Sequence, residues 1–310
     1  MPQTTPELLL SNPWYGKGFF EPNQYKVSIE RCNNGYHSCE LFLKFIEQRI
    51  KIERDYMAEL KKWSLTCQKE ISRSQDYGTN KSTWSASIVA GEQHFYTHSQ
   101  IAKDLQENVL DKMTQYRKDN YGKSVLHIKK AKEFEKDFEQ AQRSWLKLLQ
   151  KIDDTKKLYQ ETKKKLKKFE LADKIIQSDT GTSDEQKRKA KDQVDTLKKE
   201  CTAQESKYKQ LIEDMKNQRP NYEKEMTNVL NRTHDFEKKR SNFFKQMFQE
   251  YHDALYPNKP DENLAGASQK FLNELKKHNV ENDIAWWNKV YGSDTNTQWP
   301  EFEELKDSNT

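Results

Sequence analysis

The sequence predicts an all-α protein: an elongated, kinked bundle of long helices that forms an antiparallel homodimer. Hydrophobic residues are only 33% of the 310 residues and charged residues another 33%, so the chain has little apolar material for a compact globule. Nine glycines and eight prolines are too few for a turn-rich β protein. Apolar residues instead recur every three or four positions over long stretches, which is the spacing of one helix face.

The first long helix is expected at about residues 22–72. One apolar face of this segment consists of Tyr25, Ile29, Cys32, Tyr36, Cys39, Leu43, Ile46 and Ile50. A second stripe beside it consists of Phe42, Phe45, Ile52, Tyr56 and Trp63. Because a helix with two apolar stripes must be covered on two sides, we expect it to lie inside a bundle.

Two further long helices are expected, at about 79–171 and at 184–256. The apolar face of the first of these resumes after Gly122 with a shift of about one residue, so we predict an interruption near 122–128. In the second, the apolar phase persists across Pro220, so the proline should kink the helix and not end it. At about 1.5 Å per residue such helices would be long rods.

The remaining segments are assigned around one principal domain at 19–305. Residues 1–18 are a predicted N-terminal extension, 262–305 a short helix with an aromatic tail, and 306–310 a tail or the start of a linker. The aromatic residues of the tail are Trp286, Trp287, Tyr291, Trp299 and Phe302. Such a tail should be packed, with a partner subunit as the favoured surface, and an antiparallel dimer would also cover the second stripe of the first helix.

Charge is unevenly distributed along the chain. The net charge is only +5, yet residues 123–168 carry 15 basic and 7 acidic side chains, whereas residues 281–310 carry 2 basic and 7 acidic ones. This asymmetry indicates one surface for an anionic partner. Neither a signal peptide nor a run of about 20 apolar residues is evident, so any membrane contact is expected to be peripheral. Four cysteines without a regular framework are typical of reduced thiols in a cytosolic protein.

Catalysis is not predicted. His94 and His98 lie four residues apart, but Phe95 stands where a zinc protease motif has glutamate, and a third ligand is not evident. A glycine-rich phosphate loop and a nucleophile elbow are also not evident. We therefore expect no metal and no cofactor.

Several sequence words resemble the F-BAR (extended Fes-CIP4 homology) domain of the syndapin/PACSIN family. They are FFEPNQYK at Phe19–Lys26 against the family's FWEPGNYK, IEQRIKIERDY at Ile46–Tyr56, YGT at 77–79 with Trp84, FEQAQRSW at Phe138–Trp145, RPNYEKEM at Arg219–Met226 and WPEFEE at Trp299–Glu304. Their order and spacing extend the resemblance from Phe19 to about Leu305. It implies a crescent-shaped antiparallel homodimer whose basic concave face binds anionic lipid and curves it into tubules.

The resemblance also implies a membrane-inserting wedge loop at the break near Gly122. The residues assigned to insertion are Val125, Leu126 and Ile128, where vertebrate members have two methionines followed by glycines. Ile128 lies three residues before Ala131 on the apolar face, so its burial in the bundle is an open alternative. Val125 and Leu126 fall off that face, and for them packing onto the second subunit is the alternative to insertion.

Basic residues at matching positions are expected to contact lipid. They are Lys26, Arg31, Arg49, Lys51, Arg54, Lys123, Lys129, Lys130, Lys132, Arg143, Lys147, Lys156, Lys157, Lys163, Lys164, Lys165, Lys187, Arg188 and Lys189. The alternative is that such charges merely solvate long helices, which we expect of about half of them.

The sequence therefore predicts a non-enzymatic membrane-curving module that serves endocytosis and membrane traffic. Its expected partners are anionic phospholipids such as phosphatidylserine and phosphoinositides, a second copy of the chain, and further dimers on the membrane; SH3-mediated partners are expected only of a longer chain. Its expected location is the cytoplasm, on the cytosolic face of the plasma membrane and endosomes. A coiled-coil cytoskeletal scaffold without lipid activity is the alternative, and nucleic-acid binding is not expected because aromatics lie on helical faces and not between basic residues.

Overall fold

The computed structural model describes residues 16–75, 78–256, 276 and 279–302. The helices are α1 (Lys26–Arg73), α2 (Gly78–Asp104), α3 (Asp111–Tyr121), α4 (Lys129–Ser178), α5 (Asp184–Leu255) and α6 (Val280–Tyr291), with a π-helix at Leu105–Leu110 between α2 and α3. Over the described ranges the only β feature is an isolated bridge between Lys123 and Ile128. The predicted all-α class with long helices is confirmed.

Some predicted boundaries differ from the structure. The helix predicted from residue 22 begins at Lys26, and the helix predicted to end near 171 continues to Ser178. The π-helix was not predicted. Leu105 and Val109 within it and Met113 in α3 are buried at four-residue spacing. The extension at 1–15, most of the short helix predicted from residue 262, and residues 303–310 lie outside the described residues.

One of two compact units comprises the described residues within 26–135 and 231–289. Its buried core includes Cys39, Leu43, Ile46, Ile50, Leu105, Val109, Met113, Tyr121, Phe134 and Met247. Gly35, in the N-terminal third of α1, allows a close approach, because a Cβ atom there would lie 2.5 Å from Tyr121 Oη. The side chain that ends α3 thus fits against α1 only where α1 has no side chain.

The second unit comprises residues 16–25, 136–230 and 290–302 of the described chain. Trp145 stacks on Tyr222 with ring centroids 4.5 Å apart, and the Tyr222 hydroxyl donates to the Phe20 carbonyl oxygen at 2.8 Å. Within this unit α5 continues through Pro220, as the apolar phase indicates.

The aromatic tail packs on its own chain, which corrects the expectation that a partner subunit covers it. The Arg219 guanidinium lies 3.9 Å from the ring centroid of Trp299, and the Phe302 ring lies 4.9 Å from that of Tyr208. In the first unit, Trp287 is likewise covered by Arg31. Each of these three aromatic side chains contacts a cation or another ring of the same chain. The spacing of apolar residues in the sequence does not indicate such partners.

Candidate functional site

The 122–128 loop interrupts the helical path between α3 and α4 at the predicted position. Gly122 has φ of 55°, a conformation that favours glycine, and ends α3. The Lys129 N–H donates to the Gly122 carbonyl at 2.7 Å, and the Ser124 N–H donates to the His127 carbonyl at 2.9 Å. The Ser124 hydroxyl donates to the same carbonyl at 2.9 Å. These bonds close the loop on itself.

The tip of this loop presents two aliphatic side chains to solvent. Val125 is 96% exposed and Leu126 is 91% exposed. Ile128 is only 7% exposed and belongs to the core of its unit, so its assignment to an inserting wedge was wrong. The alternative holds for Ile128, because its position continues the buried face that includes Ala131.

The base of the loop is tied to α1 by charge. Lys123 Nζ lies 3.7 Å from Glu40 Oε1 and 5.3 Å from the ring centroid of Tyr36. Arg117 Nη1, on α3, approaches the same carboxylate at 3.9 Å. One glutamate of α1 therefore holds cations from both sides of the helix break.

An open groove of about 400 Å³ separates the loop from α1. Ile29, Ile128 and Ala131 contribute apolar lining, and the groove is also lined by Asn33, Tyr36, His37, Lys123, Val125, Leu126, His127, Lys132 and Glu135. The loop thus stands away from α1 on this side, with ionisable groups along the opening.

The lysines that follow the loop differ in exposure. Lys129 is exposed, and exposed Lys132 pairs with Glu135 at 2.6 Å. Lys130 is partly buried: its Nζ lies 3.0 Å from Glu133 Oε1 and 4.7 Å from the ring centroid of Phe134. Lys129 and Lys132 can therefore reach an approaching surface more readily than Lys130.

Arg31 is not on an open surface, so its assignment to lipid binding was wrong. Its guanidinium carbon lies 3.6 Å from the ring centroid of Trp287, and its Nη2 donates to Thr233 Oγ1 at 3.1 Å. Burial lowers the pKa of Arg31 to about 10, a shift opposed by the charge of Glu237. The side chain thus remains cationic at neutral pH while it joins α1, α5 and α6.

Arg49 also serves an internal contact. It donates to the carboxylate of Glu53, which is 2% exposed and also bonds Nδ1 of His98 on α2. The His98 ring meets that of Tyr56 edge-on at 4.5 Å. Because a buried carboxylate needs a cationic partner, Arg49 is held in a contact between α1 and α2. Its side chain is still 37% exposed, so its assignment to lipid binding stays a prediction.

The other basic positions of α1 are exposed. Lys26, Lys51 and Arg54 all face solvent, and Arg54 Nη2 donates to Gln106 Oε1 at 3.3 Å. They remain available to an anionic surface.

The predicted basic positions of the second unit are mostly exposed. Exposed members are Arg143, Lys147, Lys157, Lys164, Lys165, Arg188 and Lys189, and partly buried members are Lys156, Lys163 and Lys187. Lys157 pairs with Asp153 at 2.6 Å and Lys189 with Glu185 at 2.8 Å. Lys163 donates to the Tyr159 hydroxyl at 3.0 Å.

The exposed lysines of α4 that the sequence interpretation passed over include Lys136 and Lys151. Lys136 lies seven residues before Arg143, and Lys151 lies four residues after Lys147, so each shares a helix face with a predicted basic residue. Attention to that spacing, and not to runs of adjacent lysines, could have identified them.

The part of the chain that the structure describes contains no cluster of three or more His, Cys, Asp or Glu side chains suited to a metal ion. Within that same part, every helix is too short or too polar to pass through a bilayer.

Comparisons with known proteins agree with this architecture. Residues 24–100 match the family model of the Fes/CIP4, and EFC/F-BAR homology domain. The chain is 25% identical over 291 residues to protein kinase C and casein kinase substrate in neurons protein 2 of Gallus gallus. It is also 25% identical over 288 residues to protein kinase C and casein kinase substrate in neurons protein 1 of Danio rerio. These alignments cover 92% and 93% of this chain and 64% of each relative, so the chain spans less than two thirds of their length.

Solved structures show the same likeness. The crystal structure of the EFC/F-BAR domain of Drosophila Syndapin/PACSIN aligns with a TM-score of 0.69 and 27% identity, over 92% of this chain and 99% of that one. The Imp2 F-BAR domain aligns with a TM-score of 0.57 and 18% identity over 93% of this chain and 91% of its own, which supports the fold alone. Sequence and fold together show that this chain is similar to the F-BAR domain of the syndapin/PACSIN proteins.

Proposed function

We propose that this chain is a non-enzymatic module that binds anionic membrane surfaces and curves them. The observation that carries the proposal is the tip of the 122–128 loop, where Val125 and Leu126 stand almost fully in water beside lysines. A soluble surface gains nothing from holding two adjacent aliphatic side chains in this way. A lipid bilayer offers both the acyl layer and the anionic headgroups that such a tip would contact.

The two kinds of contact contribute differently. Insertion of one aliphatic side chain gains roughly 1.5 to 3 kcal/mol and depends little on salt. Each lysine or arginine near an anionic leaflet contributes about 1 kcal/mol, which falls as salt screens it. Because exposed cations outnumber the two tip residues, charge should dominate affinity, while Val125 and Leu126 should determine how deeply the protein inserts and how it bends lipid.

An antiparallel, crescent-shaped homodimer is part of this proposal. The described portion of α1 leaves a row of large apolar side chains exposed: Leu41, Phe45, Ile52, Tyr56 and Trp63. Their spacing of four and seven residues is that of a coiled-coil seam. Pairing of this row with a second copy would cover it, and association of dimers on lipid would extend the curved surface.

The corresponding cellular role is that of a peripheral protein on the cytosolic face of the plasma membrane and endosomes. It would promote tubulation in endocytosis and membrane traffic. Phosphatidylserine and phosphoinositides supply the anionic headgroups that its exposed cations would bind.

Co-sedimentation with phosphatidylserine-rich vesicles over a salt series, with electron microscopy of the same samples, tests the proposal. We expect the native chain to bind and form tubules at low salt. Val125→Asp combined with Leu126→Asp should retain part of the binding but lose the tubules, because charge cannot enter the acyl layer. Val125→Leu combined with Leu126→Val is the matched control, since it keeps the tip apolar and should still form tubules.

Two results would contradict the proposal. A native chain that stays in the supernatant at every salt concentration would favour a scaffold without lipid activity. Tubules that persist with both aspartates in place would show that the tip of the loop does not insert.

A further inference from the structure

The distal part of α4 carries a second pair of exposed aliphatic residues. Leu171 is 63% exposed and Ile175 is 61% exposed, more than any other large hydrophobic residue described in their unit. Because they are four residues apart, they lie one turn from each other on the same helix face. The family resemblance assigns these two residues no role.

Charged side chains around this pair are sorted by face. Lys164 and Lys168 are exposed and precede Leu171 by seven and three residues, which places them on the same side of the helix. Exposed Lys174 flanks the pair. We call these three lysines with Leu171 and Ile175 the distal α4 patch.

The carboxylates between residues 164 and 178 face the other way. Glu170 Oε1 lies 3.5 Å from Lys198 Nζ on α5. Asp173 accepts a hydrogen bond from Gln177 Nε2, which also donates to the Lys187 carbonyl on α5. Acidic residues of this segment therefore turn toward α5, and the outward face combines aliphatic side chains with ammonium groups.

This combination favours lipid over a protein as the occupant. An apolar stripe flanked by lysines is the pattern of a helix that lies in a membrane interface, where the lysine stems extend to the headgroups. Lysine is depleted at the cores of protein interfaces. Contact between two copies of the patch would also bring the lysines of one subunit against those of the other, which is repulsive.

We propose that the distal α4 patch is a second lipid-contacting site, in which Leu171 and Ile175 enter the acyl layer while Lys164, Lys168 and Lys174 bind anionic headgroups. The proposal rests on the proposed membrane function and adds a contact remote in sequence from the 122–128 loop. Binding at this site would hold the C-terminal part of α4 on the membrane independently of insertion at the loop.

Vesicles of phosphatidylserine and phosphatidylcholine test the site through Leu171→Ser combined with Ile175→Ser. At high salt, where charge is screened, we expect vesicle affinity to fall by about a hundred-fold, because each serine removes an insertion that salt does not weaken. Leu158→Ser is the matched control: Leu158 is 51% exposed on the same helix, outside the patch, and its replacement should leave affinity unchanged. Circular dichroism of each variant should match the native chain.

Insertion itself is measured by the fluorescence of a tryptophan placed either in the patch, at residue 175, or outside it, at residue 158. Fluorescence of Ile175→Trp should show additional quenching by lipids brominated in their acyl chains, relative to the native chain. Leu158→Trp should show none.

The outcomes separate this site from the general membrane proposal. If the native chain binds but the double serine variant binds equally well at high salt, the distal site is overturned and the membrane function stands. If the double variant instead loses self-association in lipid-free sedimentation and keeps its vesicle affinity, the patch is a contact between copies. If the native chain binds no vesicles, both proposals fail.

Discussion

Two sets of cations in one unit of the molecule look alike in sequence and differ in structure. Arg31 and Arg49 lie in contacts among helices, with Trp287 and Glu53 as partners. Lys129 and Lys132, beside the 122–128 loop, are exposed. The sequence predicts all four to contact lipid. The difference is that the arginines fix helices to one another, whereas the lysines leave their charge in reach of solvent.

The chemistry of the two side chains explains this division. A guanidinium group is planar, so Arg31 can stack on an indole ring while its edge donates a hydrogen bond to Thr233. An ammonium group is more strongly hydrated and lies at the end of a flexible stem, which favours the surface. In this pair of sets, the planar side chains take the internal contacts and the flexible ones stay at the surface.

The largest expected effect comes from removing the Arg31 side chain, which packs between helices. Arg31→Ala should lower the free energy of unfolding by about 3 kcal/mol, because it removes the stacking on Trp287 and leaves the nearby Glu237 with less compensation. Urea denaturation measures the change. Lys132→Ala is the control and should leave the midpoint within experimental error.

An unchanged denaturation midpoint in Arg31→Ala, together with a large loss of vesicle binding, would reverse the assignment. Arg31 would then act on lipid and not between helices. Arg31→Lys sharpens the test, since it keeps the charge but not the planar stack, and should restore only part of the stability.

The second effect is a loss of stability in acid, carried by His234 beside Arg31. Burial, and then the charges of Arg31 and Lys238, lower the pKa of His234 from 6.5 to about 4. The unfolded chain therefore takes up a proton below pH 6.5 that the folded chain refuses until about pH 4, so stability falls as pH decreases through this interval. This histidine alone should cost about 3 kcal/mol near the lower end.

Denaturation of the native chain and of His234→Gln across the same pH range isolates that contribution. Glutamine cannot be protonated in this range, so the stability difference between the two proteins should shrink as pH falls. A constant difference would show that His234 is not protonated differently in the folded and unfolded chains.

The smallest effect is expected from the exposed cations. Lys129→Ala combined with Lys132→Ala should weaken binding to phosphatidylserine vesicles by about ten-fold at low salt and hardly at high salt, with unfolding unchanged. Co-sedimentation at two salt concentrations measures it. If the double variant loses stability but not affinity, these two lysines contribute to contacts between helices, as Arg31 and Arg49 do, and not to lipid binding.

Much of the fold follows from apolar spacing alone. The seam through Cys39, Leu43, Ile46 and Ile50 is buried, and the break predicted at Gly122 is present. These features depend on local periodicity and on one residue that tolerates positive φ, both of which the sequence displays directly. The π-helix at Leu105–Leu110 depends on one extra residue in a turn and has no comparable signal.

Side-chain partners between remote segments were less accessible. The interaction of Arg31 with Trp287 joins residues 256 positions apart, and nothing in the local pattern at either one indicates the other. The loop contains both predictable and unpredictable positions. The exposure of Val125 and Leu126 agrees with their position off the apolar face. The burial of Ile128 depends on the core that it enters, which involves remote segments. Whether the two exposed residues insert into lipid stays a prediction.

The way in which the 122–128 loop is closed makes its tip interchangeable. Its hydrogen bonds join Gly122 to Lys129 and Ser124 to His127, so the side chains at 125 and 126 take part in none of them. A lineage could therefore exchange valine and leucine for larger or smaller apolar residues without disturbing either flanking helix. Selection can adjust the tip while the scaffold that carries it stays the same.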